Sequence, residues 1–501
     1  MARTDSNDSN KICGRLCIMI RGTLDAPMLI GSGEDEISDS DIILDTDGTA
    51  FLPGSSLAGV LRSYLSKMVN DNEKGKQELK SLFGSGQADQ RQEIEEVSTD
   101  SENPAEKERQ SRLYVYDTWL EQAKLIKRDG VRLNKNKTAE ESAKYDCQAV
   151  ERETAFTMRL EVIQRERELE KEEGACPEEK LRMVQKSDYR KIKICIAGLI
   201  NGEIRVGARS KRGFGKLGVH EVRVTAFDMM CHKEYKEWLF WDWDKQNAFG
   251  RCNSKVLLHE DLQGLVKENF QRREHRLRIP LKITNTLLIR QYSGVSFNNG
   301  NLPDSEMLQA QHQSGTKAVI PGSTWAGAFR SRLACLLMRL AGLKDWEKAQ
   351  RHLNPFFGTW LPEQENGEKL LSSRVIFEES VVSGGHKLPI TRNSIDRFTG
   401  GPVSGALFTE CVWVGGETEL VIRWPVYEES SDITDVLVGM LLWVAEDLKK
   451  GLLSIGGEGG VGRGLFNKNG DIFLDEERLV NLERYQTAAV KWCKKQKEAP
   501  R

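Results

Sequence analysis

The chain has 501 residues, too many for one ordinary hydrophobic core and suited to two domains of roughly 200 residues or more each. Its net charge of −2 hides strong local segregation, because 30% of residues are charged, so local patches and not the overall balance must decide on nucleic-acid partners. The ten cysteines are scattered, Cys13 and Cys17 are the closest pair and C-x-x-C is absent, which excludes the paired-ligand pattern of a zinc finger. Met1 to Asn10 is polar, with no apolar signal core. The longest apolar run, Val436 to Leu448, follows Asp435, contains Glu446 and is too short to span a bilayer. Reduced cysteines, no membrane and a cytoplasmic setting are expected.

Strand-like alternation opens at Ile12 and runs into Leu24. A polar, acidic loop from Ser32 to Asp41 and the short run Ile42-Ile43-Leu44 lead to Phe51-Leu52 and a Pro53-Gly54 turn. A hydroxyl residue, Ser55 or Ser56, is expected to cap a helix that carries Leu57, Leu61 and Tyr64 on its core face. Gly86 to Gln110 has almost no large apolar residues and reads as a disordered loop. Gln164 to Lys191 is highly charged and reads as a solvated helical insertion, and Cys231 to Arg273 as a helical linker. A second half-buried strand begins near Leu277 to Ile283.

The landmarks then recur. Pro53-Gly54-Ser55-Ser56 returns as Pro321-Gly322-Ser323-Thr324, Leu82-Phe83-Gly84 as Phe356-Phe357-Gly358, and Arg112 to Tyr116 as Arg374 to Glu378. Each unit closes on a glycine-rich loop, Gly207 to Gly218 and Gly456 to Gly464. Four motifs in one order imply a duplication or fusion, with modules at residues 1–230 and 274–501 and a linker at 231–273. Strand-helix-strand order with antiparallel returns predicts an α+β fold of ferredoxin-like type in each.

The first glycine-rich loop carries Arg209, Lys211, Arg212 and Lys216 around Phe214, a composition suited to phosphates, with the aromatic ring free to stack or pack. The second contains a formal G-x-G-x-x-G at Gly457, Gly459 and Gly462, but a helix precedes it and a turn follows, the reverse of a dinucleotide fingerprint. Only Arg463 is cationic there, so backbone amides would do most of its binding.

Arrangement and residues together resemble the RAMP superfamily backbone subunits of type III CRISPR effector complexes. The likeness rests on Ile30 to Gly33, the two Pro-Gly-Ser helices, the R-x-x-x-x-D strand from Arg112 to Asp117, the segment Ile395-Asp396-Arg397-Phe398-Thr399-Gly400-Gly401 and the two glycine-rich loops. Two modules in one chain most resemble the subtype D arrangement. The resemblance implies RNA-recognition-like palms packed along a guide RNA, with thumb hairpins near Ile126–Val150 and Leu388–Ala406. The first thumb, around Arg132 to Lys137, departs from the Asp-Arg-x-Thr-Gly pattern of the second.

The resemblance further implies guide contacts from Arg209, Lys211, Arg212, Phe214, Lys216, Arg397 and Arg463, with Ser55, Ser56, Ser323 and Thr324 at the helix starts. Arg62 and Arg330 would act likewise or pair with local acids. Members that cut target RNA carry an aspartate before the strand leading to Pro-Gly-Ser, which makes Asp39, with Asp41 close behind, and Asp304 the catalytic candidates. Such an endoribonuclease would use Mg2+ or another divalent cation and work with guide RNA, complementary target RNA and other effector subunits. A non-catalytic RNA-binding subunit is one alternative. A guide-precursor nuclease is the other, drawing on His312 or His386 among seven histidines.

Overall fold

The computed structural model describes residues 10–33, 41–68, 73–84, 110–170, 172, 176–244, 254–269, 273–291, 303–359, 370–426 and 431–496. Asp39 and all of the expected disordered loop except Gln110 lie outside these residues. No described helix is long and apolar enough to cross a membrane.

In the first unit the long strand β1 (Ile12–Leu24) pairs antiparallel with β7 (Ala155–Arg165) on one side and β8 (Leu217–Asp228) on the other. Leu16, Ile18 and Ile20 point to one face with strand periodicity. There they meet Leu57, Leu61 and Tyr64 of α1 (Gly54–Met68) and Ile192, Ile196 and Leu199 of α3 (Pro177–Ile200). The helix α2 (Glu73–Phe83) and the short strands β2 (Phe51–Leu52), β3 (Leu113–Val115) and β4 (Thr118–Glu121) complete one edge. A hairpin of β5 (Leu125–Leu133) and β6 (Ala139–Val150) projects from it.

Two readings of the sequence are corrected here. The charged segment Gln164 to Lys191 is no solvated insertion: it enters the second palm helix, α3. Asp188, 1% exposed, receives both Arg112 guanidinium nitrogens at 2.9 Å and the Gln164 amide at 3.0 Å. Charged composition concealed a helix whose polar residues satisfy one another inside. The segment 231–273 is more than a linker, since after α4 (His232–Leu239) it adds β9 (Ser254–Leu257) to the edge of β8. It also adds α5 (His259–Asn269), whose Leu262 and Leu265 join the first core.

The second unit repeats the plan. Its central strand β10 (Glu274–Ile283) pairs with β16 (Glu417–Pro425) and with β17 (Phe466–Lys468) and β18 (Phe473–Leu474). The strands β11 (Ser305–Met307), β12 (Lys317–Ile320) and β13 (Ile376–Phe377) lie around it. The core is closed by α6 (Gly322–Ala341), α7 (Ser431–Lys449) and α8 (Leu482–Gln496). Its hairpin is β14 (His386–Ile395) with β15 (Pro402–Val414).

The recurring Pro-Gly has a steric cause. A Cβ on Gly54 would collide with the Val115 carbonyl, and one on Gly322 with the Phe377 carbonyl, so each helix begins where only glycine fits. The hydroxyl residues are not the caps: the N-cap of α6 is Pro321, with no side-chain hydrogen bond. At α1 the Gly54 amide donates to Asp117 Oδ1 at 2.6 Å, so the aspartate of the R-x-x-x-x-D strand supplies the cap from 63 residues away. The Phe-Gly turns match as well. The hydroxyl of Ser111 donates to Leu82 and Leu113 carbonyls, and that of Ser373 to Phe356 and Val375.

The modules pack directly on each other. The Gly213 end of the first glycine-rich loop sits against the backbone of Phe377 to Glu379, and the Arg212 carbonyl lies against Gly322. Arg205 meets Glu378 at 2.6 Å, and Arg423 reaches the Asn201 and Gly202 carbonyls at 2.8 and 3.0 Å. Arg128 and Arg152 approach Glu379 at 3.5 and 3.9 Å.

Candidate nucleic-acid interface

The two glycine-rich loops have one backbone. Arg209 and Glu458 both take φ 57°, followed by a single 3-10 turn at Ser210–Arg212 and at Gly459–Val461. Gly213 and Gly462 then turn left-handed at φ 90° and 85°. The Val206 amide donates to Gly215 and that of Ala208 to Leu29; Ile455 donates to Gly464 and Gly457 to Leu288. This conformation brings successive amides close to any bound anion.

What fills the space beneath each loop differs. Under the first, Phe214 is 7% exposed and packs with Leu29, Cys147 and Ala149. Of its two expected roles it takes packing, and its assignment as an RNA contact is withdrawn. Under the second, Arg463 occupies the corresponding place, 3% exposed, with Glu410 at 2.9 Å and Glu458 at 2.7 Å. Arg290 and Arg392 complete that cluster. Burial, with the neighbouring Glu410 charge, raises the Glu458 carboxyl above its ordinary range. Arg463 is therefore a neutralised structural cation and not a free phosphate contact.

The first loop keeps its cations. Arg209 lies over the Tyr145 ring at 4.5 Å, a partner that the sequence did not suggest. Burial lowers the pKa of Lys211, opposed by Glu274, and lowers that of Arg212, opposed by Tyr145. Among the described residues none of Arg209, Lys211 and Arg212 forms a salt bridge. A desolvated cation without an anion favours an incoming phosphate. Lys216 differs, reaching Asp25 at 3.6 Å beside the junction between the modules.

At the helix starts Ser55 and Ser56 are exposed, whereas Ser323 and Thr324 are half-buried near that junction. Arg62 is half-exposed on α1. Arg330 is corrected to a structural role: it donates to Gln350 Oε1 at 2.7 Å, Asn354 Oδ1 at 2.8 Å and the Gly358 carbonyl at 3.0 Å. Burial, with Arg212 nearby, lowers its guanidinium pKa to about 10.

The acidic candidates separate. Asp41 is 8% exposed and its carbonyl accepts the Ser32 amide at 3.0 Å. Asp304 is exposed at the foot of the second hairpin, where its Oδ2 accepts the Thr409 amide at 2.7 Å and its own amide donates to the Thr409 carbonyl at 2.8 Å. Gly31 bridges Ile42 as Arg290 pairs with Met307, so Asp41 corresponds to Glu306 and, counting back two residues, Asp39 to Asp304. Among the described residues no group of three His, Cys, Asp or Glu converges to hold a metal ion. Among the described residues Asp304 belongs to no three-ligand group, and a single carboxylate does not by itself build a cation site.

Both hairpins end in a side-chain-stapled turn. Asp396 Oδ1 accepts the Phe398 and Thr399 amides at 2.8 Å, which lowers the Asp396 pKa. Arg397 is exposed, and Phe398, overlooked although it lies in the quoted motif, is 99% exposed. In the first hairpin Asn134 Oδ1 accepts the Asn136 amide at 2.9 Å and the Thr138 amide at 3.2 Å, so the turn survives the departure from the pattern. Lys124, Lys127, Asp129, Lys144, Glu306 and Lys387 line a cleft of about 680 Å³ between the first hairpin and the second palm. His312 lines a smaller cavity at the junction with Arg205 and Glu378, while His386 is exposed at the root of the second hairpin.

No curated protein matches the chain significantly. Among solved structures the chain is similar to one in the cryo-EM structure of the type III-B Cmr-beta complex bound to cognate target RNA. That similarity has 18% identity and a TM-score of 0.28, and covers 42% of this chain and 60% of that one. The RAMP superfamily model matches at residues 23–218 and again at 280–467, taking in both palms, both hairpins and both glycine-rich loops, and the chain belongs to the RAMP superfamily.

Proposed function

We propose that the chain is a guide-RNA-binding backbone subunit of a type III CRISPR effector complex, each module holding a stretch of guide and presenting the paired target RNA for cleavage. The observation that carries this reading is the recurrence of one anion-ready glycine-rich loop at each palm, with Arg209, Lys211 and Arg212 lacking salt-bridge partners among the described residues of the first. Phosphate contacts of this kind position RNA without reading its sequence. The chemistry of the second loop supports a weaker, amide-led grip, since its arginine is committed to Glu410 and Glu458.

The cleavage chemistry proposed for Asp304 is proton abstraction. Its carboxylate takes the proton of a target 2′-hydroxyl, the 2′-oxygen forms a bond to the adjacent phosphorus, and the bond from phosphorus to the 5′-oxygen breaks. The leaving 5′-oxygen takes a proton from water, giving a 2′,3′-cyclic phosphate and a 5′-hydroxyl. Thr409 holds the carboxylate in place through its amide. Asp39 is proposed for the same role in the first module. A divalent cation would be held largely by RNA phosphates, and no step is assigned to it.

The test is cleavage of guide-complementary RNA by the assembled complex, with and without magnesium. Asp304→Asn and Asp39→Asn should each remove one distinct product while guide binding persists. Unchanged products with both variants would remove these residues from catalysis. Metal-independent cutting of precursor RNA, lost on His312→Ala or His386→Ala, would favour the processing role instead.

A further inference from the structure

The junction between the modules supplies an internal template for what each outer end can dock. On its second-module side, Glu274, Glu378 and Arg423 form one ion cluster that receives Arg205 and the Asn201 and Gly202 carbonyls. Strand register fixes the corresponding first-module residues. Arg423 pairs with Arg276 and Ile376, as Glu161 pairs with Cys17 and Tyr114. Glu161 thus stands for Arg423, Tyr116 for Glu378 and Arg15 for Glu274.

These three residues are bound to one another and covered by the chain itself. Arg15 meets Glu161 at 2.5 Å, and the Tyr116 hydroxyl donates to Glu161 at 2.8 Å. Trp238 lies on the Arg15 guanidinium at 4.2 Å, and Trp243 packs edge-on against Tyr116 at 6.0 Å. Trp241 contacts Trp243 at 4.5 Å, and together they bury Met19 on the outer face of β1. Asp244 pins the end of the segment to Arg159 at 2.9 Å. On the second module, Arg205 and the Asn201 and Gly202 carbonyls of the first module meet Glu378 and Arg423, while Arg278, in the place of Met19, lies against Phe473 and Glu476 of its own module.

Among the described residues the glycine-rich loop at the opposite end of the chain is open. A Cβ on Gly462 would meet nothing within 4 Å, although its counterpart Gly213 is pressed against Phe377 and Glu379. Val461 and Leu452 are 65% and 61% exposed. The same loop backbone that docks at the junction is therefore presented a second time, and self-stacking would be expected if a matching edge were free.

We infer that the Trp238–Trp243 segment is a cap that keeps a second copy of this chain from docking on the first module, so that the chain enters a row of modules once and does not polymerise. The inference rests on the junction alone and stands apart from the RNA reading.

The experiment is sedimentation velocity of the purified full chain over a concentration series, without RNA. The wild type should remain monomeric. Trp238→Ala/Trp243→Ala, which uncovers Arg15 and Tyr116 while Trp241 still covers Met19, should form concentration-dependent oligomers, and adding Val461→Glu at the open end should return them to monomer. Where the pair of substitutions impairs folding, judged by near-ultraviolet circular dichroism, Trp243→Ala alone is read in the same way. Three results would overturn the inference: a wild type that already forms oligomers sensitive to Val461→Glu, a folded cap variant that stays monomeric, or oligomers indifferent to Val461→Glu.

Discussion

Replacing Glu378 by glutamine keeps the size of the side chain and removes the charge that Arg205 and Arg423 share at the junction. Its Oε1 lies 2.6 Å from Arg205 and 3.4 Å from Arg423, two guanidiniums whose side chains are almost entirely buried. Burial alone would raise the carboxyl, but Arg205, with Lys216 and Arg423, outweighs it and holds the group at about 2 against an ordinary 4.5. At 1.36 kcal/mol per pH unit, that depression corresponds to about 3 kcal/mol of junction stability, an order-of-magnitude figure for a buried pair. Breaking such a pair typically costs about 3–5 kcal/mol, since the remaining charge stays buried. A chain of two modules need not unfold in one step, so the assay is hydrogen exchange at the amides of residues 202–205 and 376–379. Arg205 being the largest of several cations that act on Glu378, a double-mutant cycle of Glu378→Gln with Arg205→Met should give a favourable coupling of about 1–3 kcal/mol. Because the folded carboxyl is depressed, the coupling should be complete above about pH 4.5 and decline as pH falls toward 2. A coupling below about 0.5 kcal/mol, or a decline between pH 7 and 6, would refute the reasoning.

The other predictions concern the repeat. Gly322→Ala should destabilise the second module by about 1–3 kcal/mol in a thermal melt, since its Cβ would press on the Phe377 and Arg212 carbonyls; an unchanged melting temperature would show that the helix start can shift freely. Arg463→Phe should cost about 1–3 kcal/mol, since it removes the buried cation from Glu410 and Glu458 and leaves them only the half-exposed Arg290 and Arg392. Adding Glu410→Cys to that variant recreates the packing that Phe214 and Cys147 make in the first module. The double variant should recover most of the loss, and one no more stable than Arg463→Phe alone would break the equivalence.

The repeat was legible because its motifs are steric requirements: a glycine that cannot carry a Cβ beside a carbonyl must stay a glycine. The second hairpin was legible because Asp396 and its turn leave a short contiguous signature, which the first hairpin, turning on Asn134, does not share. Side-chain roles were harder. Arg330 and Arg463 look like ligand contacts in a linear motif, yet Gln350, Asn354 and Glu410 lie 20, 24 and 53 residues from them, and only Glu458 shares a motif with its arginine. The charged stretch before Lys191 misled because composition reports mean polarity and does not show that Asp188 has Arg112 and Gln164 waiting for it. The resemblance, carried over at the spacing from Pro-Gly-Ser, pointed to Asp304, which sits at the foot of a hairpin, but its anchor at Thr409, 105 residues away, had no local signal.

The central claim is that the first glycine-rich loop grips guide RNA through its three cations. Measuring guide affinity against salt for the wild type and for Arg209→Gln/Lys211→Gln/Arg212→Gln tests it most directly, with glutamine retaining much of each stem. Each lost contact to single-stranded RNA should reduce the slope of log affinity against log salt by about 0.7, so the triple variant should be shallower by about 2. An unchanged slope would contradict the account.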